Sequence, residues 1–157
     1  NIPILIGGNN PNNIRRAVQH ADGWLPAGVH LDQIKKGVAL MKQLSDEAGR
    51  DWRKMEVAPQ FIVRIDRNRA QAVETFEKSQ MYKHLVSLKK STLKTQGDIK
   101  MEDSNLIGTP SEIIAKALAY RDAGVTHLLG LYFAARSVPD LIDQMTMFAN
   151  EVIPHVK

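Results

Sequence analysis

The chain has 157 residues, 43% of them apolar and 24% charged, with a formal charge of +4 and no cysteine. That length supports one domain with a real core. The missing cysteines exclude disulfides and thiolate-bound metals and fit a reducing cytoplasm. No apolar run approaches the ~20 residues needed to span a bilayer, and the opening Asn1-Ile2-Pro3-Ile4-Leu5-Ile6 has neither the basic region nor the cleavage site of a signal peptide.

Much of the positive excess sits in Lys83, Lys89, Lys90, Lys94 and Lys100, around a polar stretch. It reads as a solvated insert. Binding of nucleic acid wants a denser patch with interleaved aromatics, and recruitment of an anionic cofactor is the alternative use of the charge. The chain has no initiator Met and enters an apolar strand at its second residue. Termini are usually exposed and polar, so the expectation is a fragment that lacks its amino-terminal part.

Residues 2–6 form a short continuous apolar run, expected to be a buried strand. Asn10-Pro11 then opens a helix, with Asn as N-cap and Pro in the first turn, where its missing N–H is not needed. The helix carries Ile14, Ala17, Val18 and Ala21 inward and stops at Asp22-Gly23, with Gly23 as the expected C′ residue. Trp24-Leu25 is a second short strand, ended by Pro26-Ala27-Gly28. Leu31, Ile34, Val38, Met41, Leu44 and Ala48 repeat at three and four, which predicts a second amphipathic helix closed by Gly49.

Residues 55–66 alternate, with Val57, Phe61, Val63 and Ile65 apolar, and predict a third strand with an irregular start at Pro59. Residues 69–88 are helical in composition, and the polar, aperiodic residues 91–105 read as a mobile insert. Thr109-Pro110-Ser111-Glu112 is a capping box with Pro at N1, opening a helix that runs to Gly124. A fourth strand is expected over 127–133. Ser137-Val138-Pro139-Asp140 opens a last helix, stopped by Pro154. Strands alternating with helices mean an α/β fold with a parallel sheet and right-handed crossovers. Pattern alone leaves open whether this is half of a closed barrel or a small open sheet.

The most informative local pattern is Ile4-Leu5-Ile6-Gly7-Gly8-Asn9-Asn10-Pro11, in which a strand, a glycine turn and a helix start follow directly on one another. Two glycines permit positive φ and close backbone approach. The helix behind them is expected to aim unpaired N–H groups and its positive dipole end at the turn. An anion there would be held mainly by backbone, with the Asn9 and Asn10 amides as further donors. The alternative is that Gly7-Gly8 only makes a tight turn and Asn10 only caps. The place at the carboxyl end of a parallel strand, where α/β sites gather, favours a phosphate. The pattern is neither a dinucleotide fingerprint nor a Walker loop.

The stretch IPILIGGNNPNNIRRAVQHADGWLP resembles the luciferase-like monooxygenases, which share an apolar strand, Gly-Gly, a helix with an Arg pair, and Ala-Asp-Gly-Trp. The tail LIGTPSEIIAKALAYRDAGVTHLLGLYF, ending in FANEVIPHV, resembles the last two units of the same family. The resemblance implies the carboxyl-terminal half of a (β/α)8 TIM barrel, strands five to eight with their helices, from a flavin- or deazaflavin-dependent oxidoreductase or monooxygenase. It implies FMN or the deazaflavin coenzyme F420 as cofactor, with the phosphate on Gly7, Gly8, Asn9 and Asn10, and with Ala27 and Gly28 nearby. A small-molecule substrate is implied as well, and the acid/base residues of the family's first half have no counterpart here, so no catalytic residue is assigned.

Two other readings compete. A half-barrel with open strand edges would be catalytically inert and self-associate into a homo-oligomer, or it would bind the phosphate of some other metabolite. No nucleic acid, membrane or metal partner is expected. His20, His30, His84, His127 and His155 lack metal-ligand spacing, and His127, at the amino end of a strand, is expected to be structural. Arg15 or Arg16 is expected to pair with Asp22 or a neighbouring helix, and Trp24 to pack in the core. Tyr132, Phe133 and Arg136 follow the last strand and are candidates for touching substrate or cofactor.

Overall fold

The computed structural model describes residues 2–90 and 100–156. Six strands and seven helices occur among the described residues: β1 (Leu5–Gly7), α1 (Pro11–His20), β2 (Gly23–Leu25), α2 (Leu31–Glu47), β3 (Glu56–Val57), β4 (Gln60–Ile65), α3 (Arg69–Lys78), α4 (Gln80–Lys89), β5 (Leu106–Gly108), α5 (Pro110–Asp122), β6 (Leu129–Phe133), α6 (Val138–Glu151) and α7 (Ile153–Val156). A single 3-10 turn, Trp52–Lys54, precedes β3. The strands form two three-stranded sheets, ordered β1-β2-β3 and β5-β4-β6. The register runs parallel wherever it is defined, from Leu5 opposite Gly23 to Ile65 opposite Gly108. The chain divides into two compact units, residues 1–60 with 120–130, and residues 61–119 with 131–157.

In the first unit, α1 buries Ile14, Ala17 and Val18, and α2 buries Ile34, Val38, Met41 and Leu44. These are the residues their spacing assigns to the inner faces. The indole of Trp24 packs so closely on α2 that a Cβ at Gly37 would lie 2.3 Å from the ring. Arg50 closes the carboxyl end of α1 by donating from Nη1 to the Val18 and Ala21 carbonyls. A cation at a helix carboxyl end satisfies orphan carbonyls and complements the dipole. The Tyr120 hydroxyl donates to Val29 O at 3.0 Å, and the Thr126 hydroxyl accepts from Val57 N at 3.0 Å.

In the second unit, Ile62, Ala72, Phe76, Leu85, Ile107 and Ala134 form one apolar cluster. Two side-chain amides take the place of strand neighbours along β4. Gln144 accepts from Ile65 N and donates to Ile65 O, both at 2.8 Å. Asn105 accepts from Ile62 N at 2.8 Å and donates to Met101 O at 2.7 Å. Both amides are buried, and buried backbone polar groups require such partners. The capping box forms as its sequence predicts: Thr109 N donates to Glu112 Oε2 at 2.8 Å and Glu112 N to Thr109 Oγ1 at 3.4 Å.

Several expectations need correction. The first strand starts at Leu5, and Ile2 and Ile4 are 90% and 59% exposed instead of buried. Gly23 is no helix cap. It lies inside β2, where a Cβ would come within 2.5 Å of Glu56 O. The third strand is broken at Ala58-Pro59 into β3 and β4, and β4 is buried almost throughout instead of alternating. The helical stretch 69–88 is two helices, parted at Ser79, whose hydroxyl donates to Phe76 O and accepts from Tyr82 N. Strand β5 has no counterpart in the sequence reading. Of the proposed insert, residues 91–99 lie outside the described residues. Its end, Ser104 and Asn105, is buried.

Candidate functional site

Strand β1 ends at Gly7, which is exposed, and the chain turns through Gly8 at φ +108° into the N-cap of α1. That φ suits glycine alone among ordinary residues, and a Cβ there would lie 2.2 Å from the Asn13 side-chain nitrogen. Four hydrogen bonds hold the turn against the β2 segment. Gly8 N donates to Leu25 O at 3.2 Å, Trp24 Nε1 donates to Gly8 O at 2.7 Å, and the Asn9 carboxamide bridges Ala27 in both directions. Asn9 Nδ2 donates to Ala27 O at 2.9 Å, and its Oδ1 accepts from Ala27 N at 3.0 Å. Gly28 follows at φ +59°. The turns after β1 and β2, separated by 18 residues in sequence, are thus one structure.

The donors are arranged differently from the sequence expectation. Pro11 has no N–H. Asn12 N is taken by Asn10 Oδ1 at 2.8 Å and Asn13 N by Asn10 O at 2.9 Å. The first turn of α1 therefore points no unpaired N–H at the glycine turn. Asn9 is a brace between the two turns. Among the described residues, the main-chain N–H groups of Asn9 and Asn10 meet no acceptor. Two consecutive free amides after a positive-φ glycine are donors open to an oxyanion. The dipole of α1 acts in the same sense.

Trp24 is core, as expected, and its indole N–H also fixes the Gly8 carbonyl. That second role was missed, though a Trp four residues before Gly28 was a visible signal. Arg15 and Arg16 are exposed, and Asp22 instead accepts from Ile4 N at 2.8 Å. His127 is exposed, with Nδ1 3.0 Å from Thr126 Oγ1.

In the second unit, Phe133 packs edge-on to Phe148 at 5.8 Å, while Tyr132 is 48% exposed. Arg136 is bound to Asp140 through its N–H at 2.8 Å and through Nε at 3.3 Å. The same carboxylate accepts from Arg64 Nη1 at 2.7 Å. Arg64 is 2% exposed and was not singled out, although one Arg inside the run Phe61-Ile62-Val63-Arg64-Ile65 is a legible anomaly. Burial pushes the Asp140 carboxyl up, and the hydrogen bonds from Arg64 and Arg136 outweigh it, lowering its pKa to about 2. No group of three or more acidic or imidazole side chains suited to a metal occurs among the described residues.

The luciferase-like monooxygenase family model matches residues 1–127. An uncharacterised protein of Mycobacterium tuberculosis is 43% identical over 49 residues, which is 31% of this chain and 17% of that protein. Among solved structures, the coenzyme F420-dependent tetrahydromethanopterin reductase of Methanopyrus kandleri superposes with a TM-score of 0.72 at 22% identity, covering 99% of this chain and 51% of that one. An F420-dependent secondary alcohol dehydrogenase, solved with an F420-acetone adduct, gives 0.72 at 21% identity, covering 100% and 49%. The FMN-bound oxygenating constituent of 3,6-diketocamphane monooxygenase from Pseudomonas putida gives 0.72 at 16% identity, covering 99% and 49%. The chain spans about half the length of each of these solved relatives.

Proposed function

This chain belongs to the luciferase-like monooxygenase family, and on that footing we propose that it is the phosphate-holding, carboxyl-terminal half-barrel of a flavin- or deazaflavin-dependent oxidoreductase. The observation that carries the reading is the pair of free N–H groups at Asn9 and Asn10 behind the positive-φ Gly8. Family membership selects the anion, the phosphate of FMN or of coenzyme F420. Gly7 leaves room for the phosphate to approach the backbone, and Gly8 supplies the positive φ of the turn. Asn9 braces the turn against Ala27, and Ala27 and Gly28 of the second turn lie beside the cofactor. When bound, such a cofactor supplies the electron pair of the redox step, while the protein supplies binding and orientation.

FMN and riboflavin differ only in the phosphate, so their affinities isolate this contact. Fluorescence quenching titrations should show FMN binding at least tenfold tighter than riboflavin, which is ~1.4 kcal/mol. Equal affinities would remove the phosphate turn from the account.

A second reading is favoured by apolar side chains left open in or beside strands: Ile4, Leu129 and Tyr132 are 59%, 41% and 48% exposed. Apolar strand residues without cover invite association. On this reading the chain alone is inert and joins a second copy of itself. Light scattering at low micromolar concentration is expected to give a dimer or larger. A cooperatively melting monomer of 17.6 kDa would count against it.

A further inference from the structure

Asn13 is the third residue of α1, counted from its N-cap Asn10. A helical side chain leans toward the amino end of its helix, which turns this one back over the glycine turn. The carboxamide stands on the open side of Gly8: a Cβ built there would lie 2.2 Å from Asn13 Nδ2 and 3.2 Å from its Cγ. The amide nitrogen is therefore the atom presented to the turn. Adding one carbon–carbon bond of about 1.5 Å puts Nδ2 within about 4 Å of the Gly8 Cα, which is two bonds from the free Asn9 N–H. Among the described residues, the Asn13 side-chain amide has no hydrogen-bond partner. It is half-buried, and its polar atoms keep contact with solvent. An accessible donor thus stands unused beside the two free main-chain amides.

This is a position at which a helix commonly closes on itself. In a capping box the third helical residue reaches back and accepts from the N–H of the N-cap. Helix α5 does so: Glu112 Oε2 accepts from Thr109 N at 2.8 Å. Helix α1 has the same frame and leaves it open. Asn13 N donates to Asn10 O at 2.9 Å, but the Asn13 side chain takes nothing from Asn10 N, which stays free. A carboxylate at position 13 would occupy that N–H and repel an anion. A carboxamide leaves it available and adds a donor of its own.

We propose that Asn13 is a phosphate-binding residue, its Nδ2 donating to a non-bridging oxygen of the cofactor phosphate beside the N–H groups of Asn9 and Asn10. The inference rests on the phosphate turn of the proposed function and adds a side-chain donor to it.

Fluorescence quenching titrations of the wild type, Asn13→Ala and Asn13→Asp with FMN and with riboflavin test it, alongside thermal melts of the three proteins. Hydrogen bonds to charged groups are the stronger ones, so Asn13→Ala should lower the ratio of FMN to riboflavin affinity about tenfold and leave the riboflavin affinity unchanged. Asn13→Asp should lower the ratio further while its melting temperature holds or rises, because a carboxylate in the first turn complements the helix dipole and can close the capping box. A merely structural Asn13 would move stability and both affinities together, and that result would overturn the proposal. A wild type that binds FMN and riboflavin equally would overturn the phosphate turn and this inference with it. A wild type that prefers FMN, with the full preference kept in Asn13→Ala, would overturn the role of Asn13 alone.

Discussion

Asp140→Ala is expected to destabilise the protein by about 3–5 kcal/mol, because it leaves a buried guanidinium without its hydrogen-bonded anion. Arg64 is 2% exposed, and its remaining carboxylate, Asp66, stands 3.9 Å away. A loss of that size is a large part of the ~5–15 kcal/mol that holds a domain folded, and urea denaturation should read it as a lower midpoint. A drop below about 1 kcal/mol, the range of surface ion pairs, would show that the pair is not the buried anchor described.

The same pair sets a pH dependence. The Asp140 carboxyl ordinarily titrates at 3.8 and in the fold at about 2. The unfolded chain therefore binds more protons between these values. The stabilisation is complete above the unfolded value and is lost as pH falls through the folded one, amounting to about 2 kcal/mol at ~1.4 kcal/mol per unit. Acid titration of the wild type should show this loss between about pH 4 and pH 2, and Asp140→Asn should lack that component.

Gly8→Val is expected to weaken FMN or F420 binding at least tenfold, or ~1.4 kcal/mol. A β-branched residue at φ +108° is strained by roughly 1–3 kcal/mol. Its Cβ would also meet the Asn13 side-chain nitrogen at 2.2 Å, a contact the Asn13 side chain relieves by rotating, so it is the backbone strain at Gly8 that shifts the turn and the Asn9 and Asn10 amides. The ligand effect is read on material whose circular dichroism matches the wild type. A folded variant with unchanged affinity would overturn the role given to the turn.

Helices were the most legible part of the sequence. α1 and α2 announce themselves by apolar residues at three and four, and α5 by its capping box, because these signals are local and repeat. β5 was not legible, since three residues such as Leu106-Ile107-Gly108 have no period, and their pairing with Val63–Ile65 is set by a neighbour 43 residues away. The exposure of Ile4 was hidden for a related reason: an apolar run reports the side chains' preference but not whether cover is present.

At the site, the glycine turn was read correctly as a turn, and its helix-derived donors were not. Pro11 and the Asn10 cap remove the first-turn N–H groups, while the Asn9–Ala27 brace depends on two turns meeting across 18 residues. Arg64 was the one missed residue that a single-sequence reading could have flagged, as a charge inside a buried strand.

The most direct test of the phosphate assignment is an amide ¹H–¹⁵N correlation titration with FMN, using riboflavin as the control. The account predicts that the backbone amides of Asn9 and Asn10 shift furthest downfield with FMN and stay in place with riboflavin. Shifts that centre elsewhere, or that riboflavin reproduces at Asn9 and Asn10, would contradict it.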